Sequence, residues 1–293
     1  MQSLKGKKIV LTGGAGGIGR CAAEKFAEAG AVLILTDINK RVLDETASGL
    51  RKKYKAAVHV KAVNVADRRE VEAFARWAVR KFKGIDILIN NAGIGASGEL
   101  IETSLETWKR LMDINFWGPL YHVYAFLPGM IRRGHGHIVN VASGQAFFRL
   151  PTWGAYATVK LAIGAFSEIL RYEVRKLNID VTTLYPFMVN TGFYKRIESE
   201  TFLQKISMRM LPYYSMSPEK VGEILFEAVR TKKGVEMVSL LNTLAKVSRV
   251  IPKMTDVIGL AAISLLGKKP SDLRAGVRGK EKGAGSKARR RAA

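Results

Sequence analysis

The 293-residue chain holds one cysteine, Cys21, which excludes an internal disulfide framework and any cysteine-rich zinc site. It stands beside Ala22 and Ala23 in a helix-like stretch, where a packed core thiol is expected. Histidine is scarce too. His59, His122, His135 and His137 show no ligand spacing with acidic residues, so no metal site is expected. No run reaches the ~20 apolar residues of a membrane span, the longest candidate (Val257 to Gly267) being about half that. The opening Met1-Gln-Ser-Leu-Lys-Gly-Lys-Lys8 leads straight into a strand and fits no secretory signal, which makes a cytoplasmic protein the expectation. Acidic residues are also few: 25 against 48 Lys and Arg, a net charge of +23. Ten basic and two acidic residues fall between Lys268 and Ala293, giving +8 there, and the remaining +15 is spread over the body. Such a balance favours anionic surfaces. The basic end has no aromatic residue to stack bases, so nucleic acid is not the expected partner.

What is present is alternation. Apolar β-branched runs at Lys8–Leu11, Val32–Thr36, Val58–Asn64, Ile85–Asn90, His137–Ala142 and Asp180–Tyr185 predict strands, with Val235–Leu240 a seventh. Amphipathic stretches separate them, such as Asp67–Lys83 with Val71, Phe74, Ala75, Ala78 and Phe82 at helical spacing. Strands apolar on both faces and divided by helices predict an α/β fold, a Rossmann-type doubly wound parallel sheet covered on both sides. One catalytic domain is expected over residues 1–240, a helical extension over 241–267 and a basic tail over 268–293. In the extension Leu240, Leu244, Val247 and Ile251 share a helical face, and Met254, Val257, Ile258, Ala261, Ala262 and Leu265 begin a second apolar stripe after Pro252. Two readings stand: helices packed on the body or a second subunit, or an interfacial membrane anchor aided by the basic end.

Thr12-Gly-Gly-Ala-Gly-Gly-Ile-Gly19 follows the first strand and opens a helix. Glycines there let the backbone turn tightly and approach a pyrophosphate at the positive helix N-terminus. Eighteen residues after Gly19, Asp37 closes the second strand, placed to accept hydrogen bonds from an adenosine ribose and to repel a 2′-phosphate. NAD(H) is therefore expected over NADP(H), with Lys40 and Arg41 the counterweight. Further on, Tyr156 and Lys160 stand four apart, on one helical face. A tyrosine hydroxyl ionises near pH ~10, and an ammonium one turn away lowers that value. Ser143 precedes the tyrosine by thirteen residues at the end of a buried strand.

Over roughly residues 5 to 240 the chain resembles the short-chain dehydrogenase/reductase family. Asn90-Asn91-Ala92-Gly93 matches the motif ending that family's fourth strand, Asn115 its helix asparagine, and Ser143, Tyr156 and Lys160 its serine, tyrosine and lysine. The resemblance implies reversible hydride transfer between a nicotinamide and a carbonyl carbon. Tyr156 would be general acid/base, Lys160 would lower its pKa and hold the nicotinamide ribose, and Ser143 would donate to the substrate oxygen. Asn115 would anchor a water, or else satisfy backbone groups at a kink. Cofactor contacts would come from Gly13, Gly17, Ile18, Gly19, Asp37, Asn64, Val65, Asn91, Ala92, Gly93, Tyr156, Lys160, Pro186, Val189 and Thr191. Two positions depart from the family pattern: Asn64-Val65 replaces its frequent Asp-Val, and in Pro186-Phe187-Met188-Val189-Asn190-Thr191 a phenylalanine replaces a glycine.

Phe147, Phe148, Leu150, Trp153, Phe187, Met188, Phe193 and Tyr194, with Leu203, Met208, Met210, Leu211 and Tyr213 in the segment 202–214, surround the expected pocket. So many apolar groups with few fixed charges predict a lipophilic alcohol or ketone such as a steroid, retinoid or long-chain lipid. A homodimer or homotetramer through Leu105–Arg132 and Ala155–Leu177 is implied by the family. An NADP(H)-dependent carbonyl reductase and a non-catalytic NAD-binding sensor are the alternatives on the same fold.

Overall fold

The computed structural model describes residues 1–148, 150–193 and 215–248. Tyr194, the apolar segment 202–214, the second stripe from Met254 and the basic tail lie outside them. The order is β1 (Lys8–Thr12), α1 (Gly17–Glu28), β2 (Val32–Asp37), α2 (Lys40–Tyr54), β3 (Val58–Ala62), α3 (Arg68–Phe82), β4 (Ile87–Asn90) and α4 (Leu105–Met112). A π-helical turn (Asp113–Trp117) joins α4 to α5 (Gly118–Arg133). Then come β5 (Gly136–Val141), α6 (Gln145–Phe148), α7 (Gly154–Val174), β6 (Ile179–Tyr185), α8 (Pro218–Thr231), β7 (Val235–Met237) and α9 (Leu240–Ser248).

All pairings are parallel, in the order β3-β2-β1-β4-β5-β6-β7. Successive strand residues point to opposite faces, and both faces are covered. Ile9, Leu11, Leu33 and Leu35 pack with Phe26, Leu43, Leu225 and Val229 from α1, α2 and α8. On the other side Val10, Ile34, Leu88 and Ile138 meet Phe74, Phe126, Leu170 and Val174 from α3, α5 and α7. Each fully buried aliphatic or aromatic side chain contributes about 1.5–3 kcal/mol by leaving water.

Local signals set the helix ends. The Asp67 carboxylate accepts from Arg69 N (2.8 Å) and Glu70 N (3.2 Å), starting α3, and Lys83 ends it at φ 58°. The predicted span Asp67–Lys83 is thus the helix plus its two caps. β7 is shorter than predicted, because Ser239 starts α9. Its hydroxyl accepts from Asn242 N at 3.3 Å, an N-cap arrangement. In α9 the predicted apolar stripe faces outward, with Leu240, Leu244 and Val247 all more than half exposed. Asn242 is the fully buried side chain instead. Among the described residues no helix is long and apolar enough to cross a membrane.

Candidate active site

The strand order reverses direction between β1 and β4, and the carboxyl ends of parallel strands leave a crevice there. Loops at this edge bring the predicted residues together. Gly13 adopts φ 68°, and a Cβ on it would lie 2.9 Å from Ala92 Cα, so glycine serves both the turn and the contact between the two loops. Thr12, buried under this junction, organises it. Its hydroxyl accepts from Asn91 N and Ala92 N, both at 3.0 Å, while Asn91 Nδ2 donates back to Thr12 O (3.0 Å) and Gly13 O (3.2 Å). Thr12 was only the first letter of a glycine motif in the sequence. Its threonine-specific task depends on a loop nearly 80 residues away.

α1 begins at Gly16 with no side-chain cap and no acidic residue in its first turn. The amides of Gly17, Ile18 and Gly19 therefore stand at an uncompensated positive helix end, a place suited to a pyrophosphate. Gly19 itself is buried against Gly13 O, and Thr191, from the segment after β6, lies against Gly17. Asp37 is fixed at the end of β2, its Oδ2 accepting from Ala15 N (3.2 Å) and Oδ1 from Asn39 N (3.0 Å). The cations Lys40 and Arg41 pair along α2 with Asp44 and Glu45, each at 2.6 Å. Asn64 Oδ1 accepts from Ala66 N (3.1 Å), and Val65 packs against Gly118. Val189, buried, forms a parallel bridge with Met216.

Ser143 follows β5 and is nearly buried; its Oγ accepts from Gln145 N (3.2 Å) and makes a long contact to Pro186 O (3.5 Å). Tyr156 and Lys160 follow on α7. The tyrosine ring sits between Trp153 and Phe193, with centroids 5.8 and 5.7 Å away. Lys160 is 4% exposed, and its Nζ donates to Val141 O at 2.9 Å. Burial lowers its ammonium from the ordinary 10.5 to about 8.

Asn115 lies in the π-helical turn, 1% exposed. Nδ2 donates to Ile94 O (3.0 Å) and Leu111 O (3.1 Å), and Oδ1 accepts from Ile94 N (3.1 Å). The backbone-satisfying alternative for this residue is what the geometry displays. A Cβ on Gly93 would stand 2.7 Å from Asn115 Oδ1 and 3.5 Å from Lys160 Nζ, so these two side chains converge on one glycine. Phe187 turns toward α6, its ring 5.4 Å from that of Phe148, while Phe147 packs on Tyr185 at 4.8 Å. Part of the predicted apolar pocket is therefore packing within its wall. A separate groove of about 810 Å³ between α3 and α5, lined by Trp117, Tyr121, Tyr124, Arg76 and Arg132 among others, contains none of the predicted site residues.

Comparison with known proteins identifies the family. The family model described as short chain dehydrogenase matches residues 7–201. The "Probable oxidoreductase EphD" of Mycobacterium tuberculosis is 33% identical over 259 residues, which are 84% of this chain and 43% of that protein; the chain spans less than half of that relative. Mouse estradiol 17-beta-dehydrogenase 11 is 31% identical over 256 residues, covering 86% of this chain and 82% of the relative. A short chain dehydrogenase/reductase from Burkholderia phymatum, solved in complex with NAD, superposes with a TM-score of 0.78 at 28% identity, covering 87% and 96% of the two chains.

Proposed function

Because the chain belongs to the short chain dehydrogenase family, whose members are NAD(P)-dependent oxidoreductases, we propose that it exchanges a hydride between NAD(H) and a lipophilic secondary alcohol or ketone. The observation that carries the reading is the buried Lys160, one turn from Tyr156 on α7 and bonded to Val141 O two residues before Ser143, at the same strand ends as the glycine-lined, uncapped start of α1.

Bound nicotinamide supplies the hydride acceptor or donor. The chain's residues do the rest. Gly13, Gly17, Ile18 and Gly19 present the backbone to the pyrophosphate, and Asp37 meets the adenosine ribose. Asn64 and Val65 would hold the adenine, and Asn91, Ala92, Gly93, Pro186, Val189 and Thr191 would complete the cofactor's contacts. Tyr156 takes the alcohol proton on its Oη, or returns one to a ketone oxygen. Lys160, still cationic at neutral pH with a pKa of about 8, stabilises the phenolate. Gln145 N occupies a lone pair of Ser143 Oγ and leaves the hydroxyl proton to swing onto the substrate oxygen, where negative charge develops. Asn115 ties the π-helical turn to Ile94 and so holds the strand-end loop next to Lys160.

NAD(H) is favoured because Asp37 is fixed facing the glycine loop while Lys40 and Arg41 are engaged by Asp44 and Glu45. A lipophilic substrate is favoured by Trp153 and Phe193 flanking Tyr156, and by the name of the mouse relative, an estradiol dehydrogenase. The exposed stripe Leu240, Leu244 and Val247, followed in sequence by the basic tail, supports a cytoplasmic enzyme working against an anionic membrane surface. Exposed Trp117, Tyr124 and Ile131 on the π-helical turn and α5, with Leu161, Ile169 and Tyr172 on α7, support a homodimer or homotetramer. The test is turnover of a panel of steroids, retinols and secondary fatty alcohols with NAD. Activity on none of them, or only on small hydrophilic alcohols, would overturn the substrate class.

A further inference from the structure

We infer that Asn242, a buried residue of α9, is a positioning residue for Ser143. The inference rests on the serine's role proposed above. Asn242 lies in the extension, beyond the matched residues 7–201, and is 0% exposed. Two backbone features meet at its side chain.

The first is the end of β6. Tyr185 O, on the β7 side, and Pro186 O, on the β5 side, are the last carbonyls of the strand end. Asn242 Nδ2 donates to Tyr185 O at 2.5 Å, with Val238 N a longer second donor at 3.4 Å. Pro186 O is taken by Gly144 N at 2.7 Å and approached by Ser143 Oγ. Adjacent carbonyls of one strand end are thus held, one by the extension and one by the catalytic turn.

The second feature is Gly144. A Cβ there would collide with Asn242 Oδ1 and lie 2.7 Å from the Phe187 ring. The amide oxygen of Asn242 and the ring of Phe187 therefore fill the space that a side chain after the serine would take. Asn242 Oδ1 is buried with no hydrogen-bond donor among the described residues. Leaving a buried acceptor unpaired costs about 1–3 kcal/mol, so a side chain held there for packing alone would be better apolar. An asparagine is explained by its other end, the donor to Tyr185 O. Phe187, where the family pattern has glycine, turns toward Phe148 over the bare Gly144. Gly144, the residue after Ser143, is thus packed against α9, and this packing is inferred to hold the turn in which Gln145 N meets Ser143 Oγ.

The experiment is a double-mutant cycle on the full chain, with NAD and estradiol or whichever panel alcohol is turned over fastest. Asn242→Ala should lower kcat about tenfold or more, with KM for NAD within about twofold of wild type. In a Ser143→Ala background the same change should cost less than about threefold, because the group it acts through is gone. Equal losses in both backgrounds, or an unchanged kcat, would overturn the inference. Should Asn242→Ala not yield folded protein, Asn242→Ser, which keeps a short donor, enters the same cycle with the same criteria. Ser143→Ala that leaves kcat intact would instead remove the serine from the proposed function. A harmful Ser143→Ala with a harmless Asn242→Ala would sink only the role of Asn242.

Discussion

Lys160 stands one helical turn beyond Tyr156, its Nζ 5.8 Å from the centre of the tyrosine ring and 2.9 Å from the carbonyl of Val141. An ammonium so placed bridges the base and the end of β5. Tyr156→Phe removes only the proton-carrying oxygen, so turnover should fall at least about a thousandfold while NAD affinity changes little. Lys160→Ala should damage both, since it removes a charge beside Tyr156 and the proposed hold on the nicotinamide ribose. Retention of more than a few per cent of activity by the phenylalanine variant, measured in steady state, would rule out Tyr156 as the acid/base.

The proposed preference for NAD(H) rests on Asp37. Wild-type enzyme should show the higher kcat/KM with NAD(H). Asp37→Ala should narrow or reverse the gap by about tenfold or more, because it removes a repulsion against the 2′-phosphate. Lys40 and Arg41 are then drawn from Asp44 and Glu45, exposed pairs worth only a few tenths of a kcal/mol to break. A wild-type preference for NADP(H) would show that the two cations already dominate.

Two buried histidines make stability depend on acid. Burial lowers both His122 and His137 from the ordinary 6.5 to about 4. The unfolded chain then binds more protons than the folded one between these values, so stability falls as pH drops from 6.5 toward 4. Each histidine accounts for on the order of 3 kcal/mol across that window at most. Urea denaturation at pH 7 and pH 4.5 should reveal the loss, and His122→Phe, next to Phe74 and Phe126, should flatten it. An identical pH dependence in the variant would exclude His122 as a contributor.

The proposed membrane attachment can be tested in two parts. Full-length protein should sediment with anionic but not neutral vesicles at low salt, and less so as salt screens charges beyond ~8 Å at physiological strength. A chain ending at Gly267 should bind less, and Leu244→Glu with Val247→Glu should weaken whatever remains. Equal binding by all three proteins would remove both the tail and α9 from the account.

The sheet was legible because β-branched apolar runs such as Val32–Thr36 have no other stable home than a buried parallel strand. Most of the site was legible too, since Gly13, Asp37, Ser143, Tyr156 and Lys160 lie at strand ends or on one helix face, where spacing translates directly into place. α9 was half legible. Periodicity groups Leu240, Leu244 and Val247 on one face but does not say whether that face meets the body, and the buried amide of Asn242 decides it the other way. Thr12 and Gln145 were invisible for a different reason. Each acts through backbone amides, Thr12 on the Asn91–Ala92 loop and Gln145 by its own N–H, and such bonds leave no pattern of residue types.

The π-helical turn at Asp113–Trp117 sets a phase along the whole α4–α5 rod. Its inward positions run Leu111, Asn115, Gly118–Pro119, His122–Val123, Phe126 and Met130. These five steps cover nineteen residues, where a regular helix would use about eighteen. The surplus residue is an angular offset of about 100°, taken up within one turn. Without it, a regular helix aligned on Leu111 would carry Phe126 about 60° and Met130 about 100° off that face. The wide turn thus lets Leu111 pack beside Tyr156 and Val159 at the catalytic end while Phe126 and Met130, further along, stay in the core under the sheet.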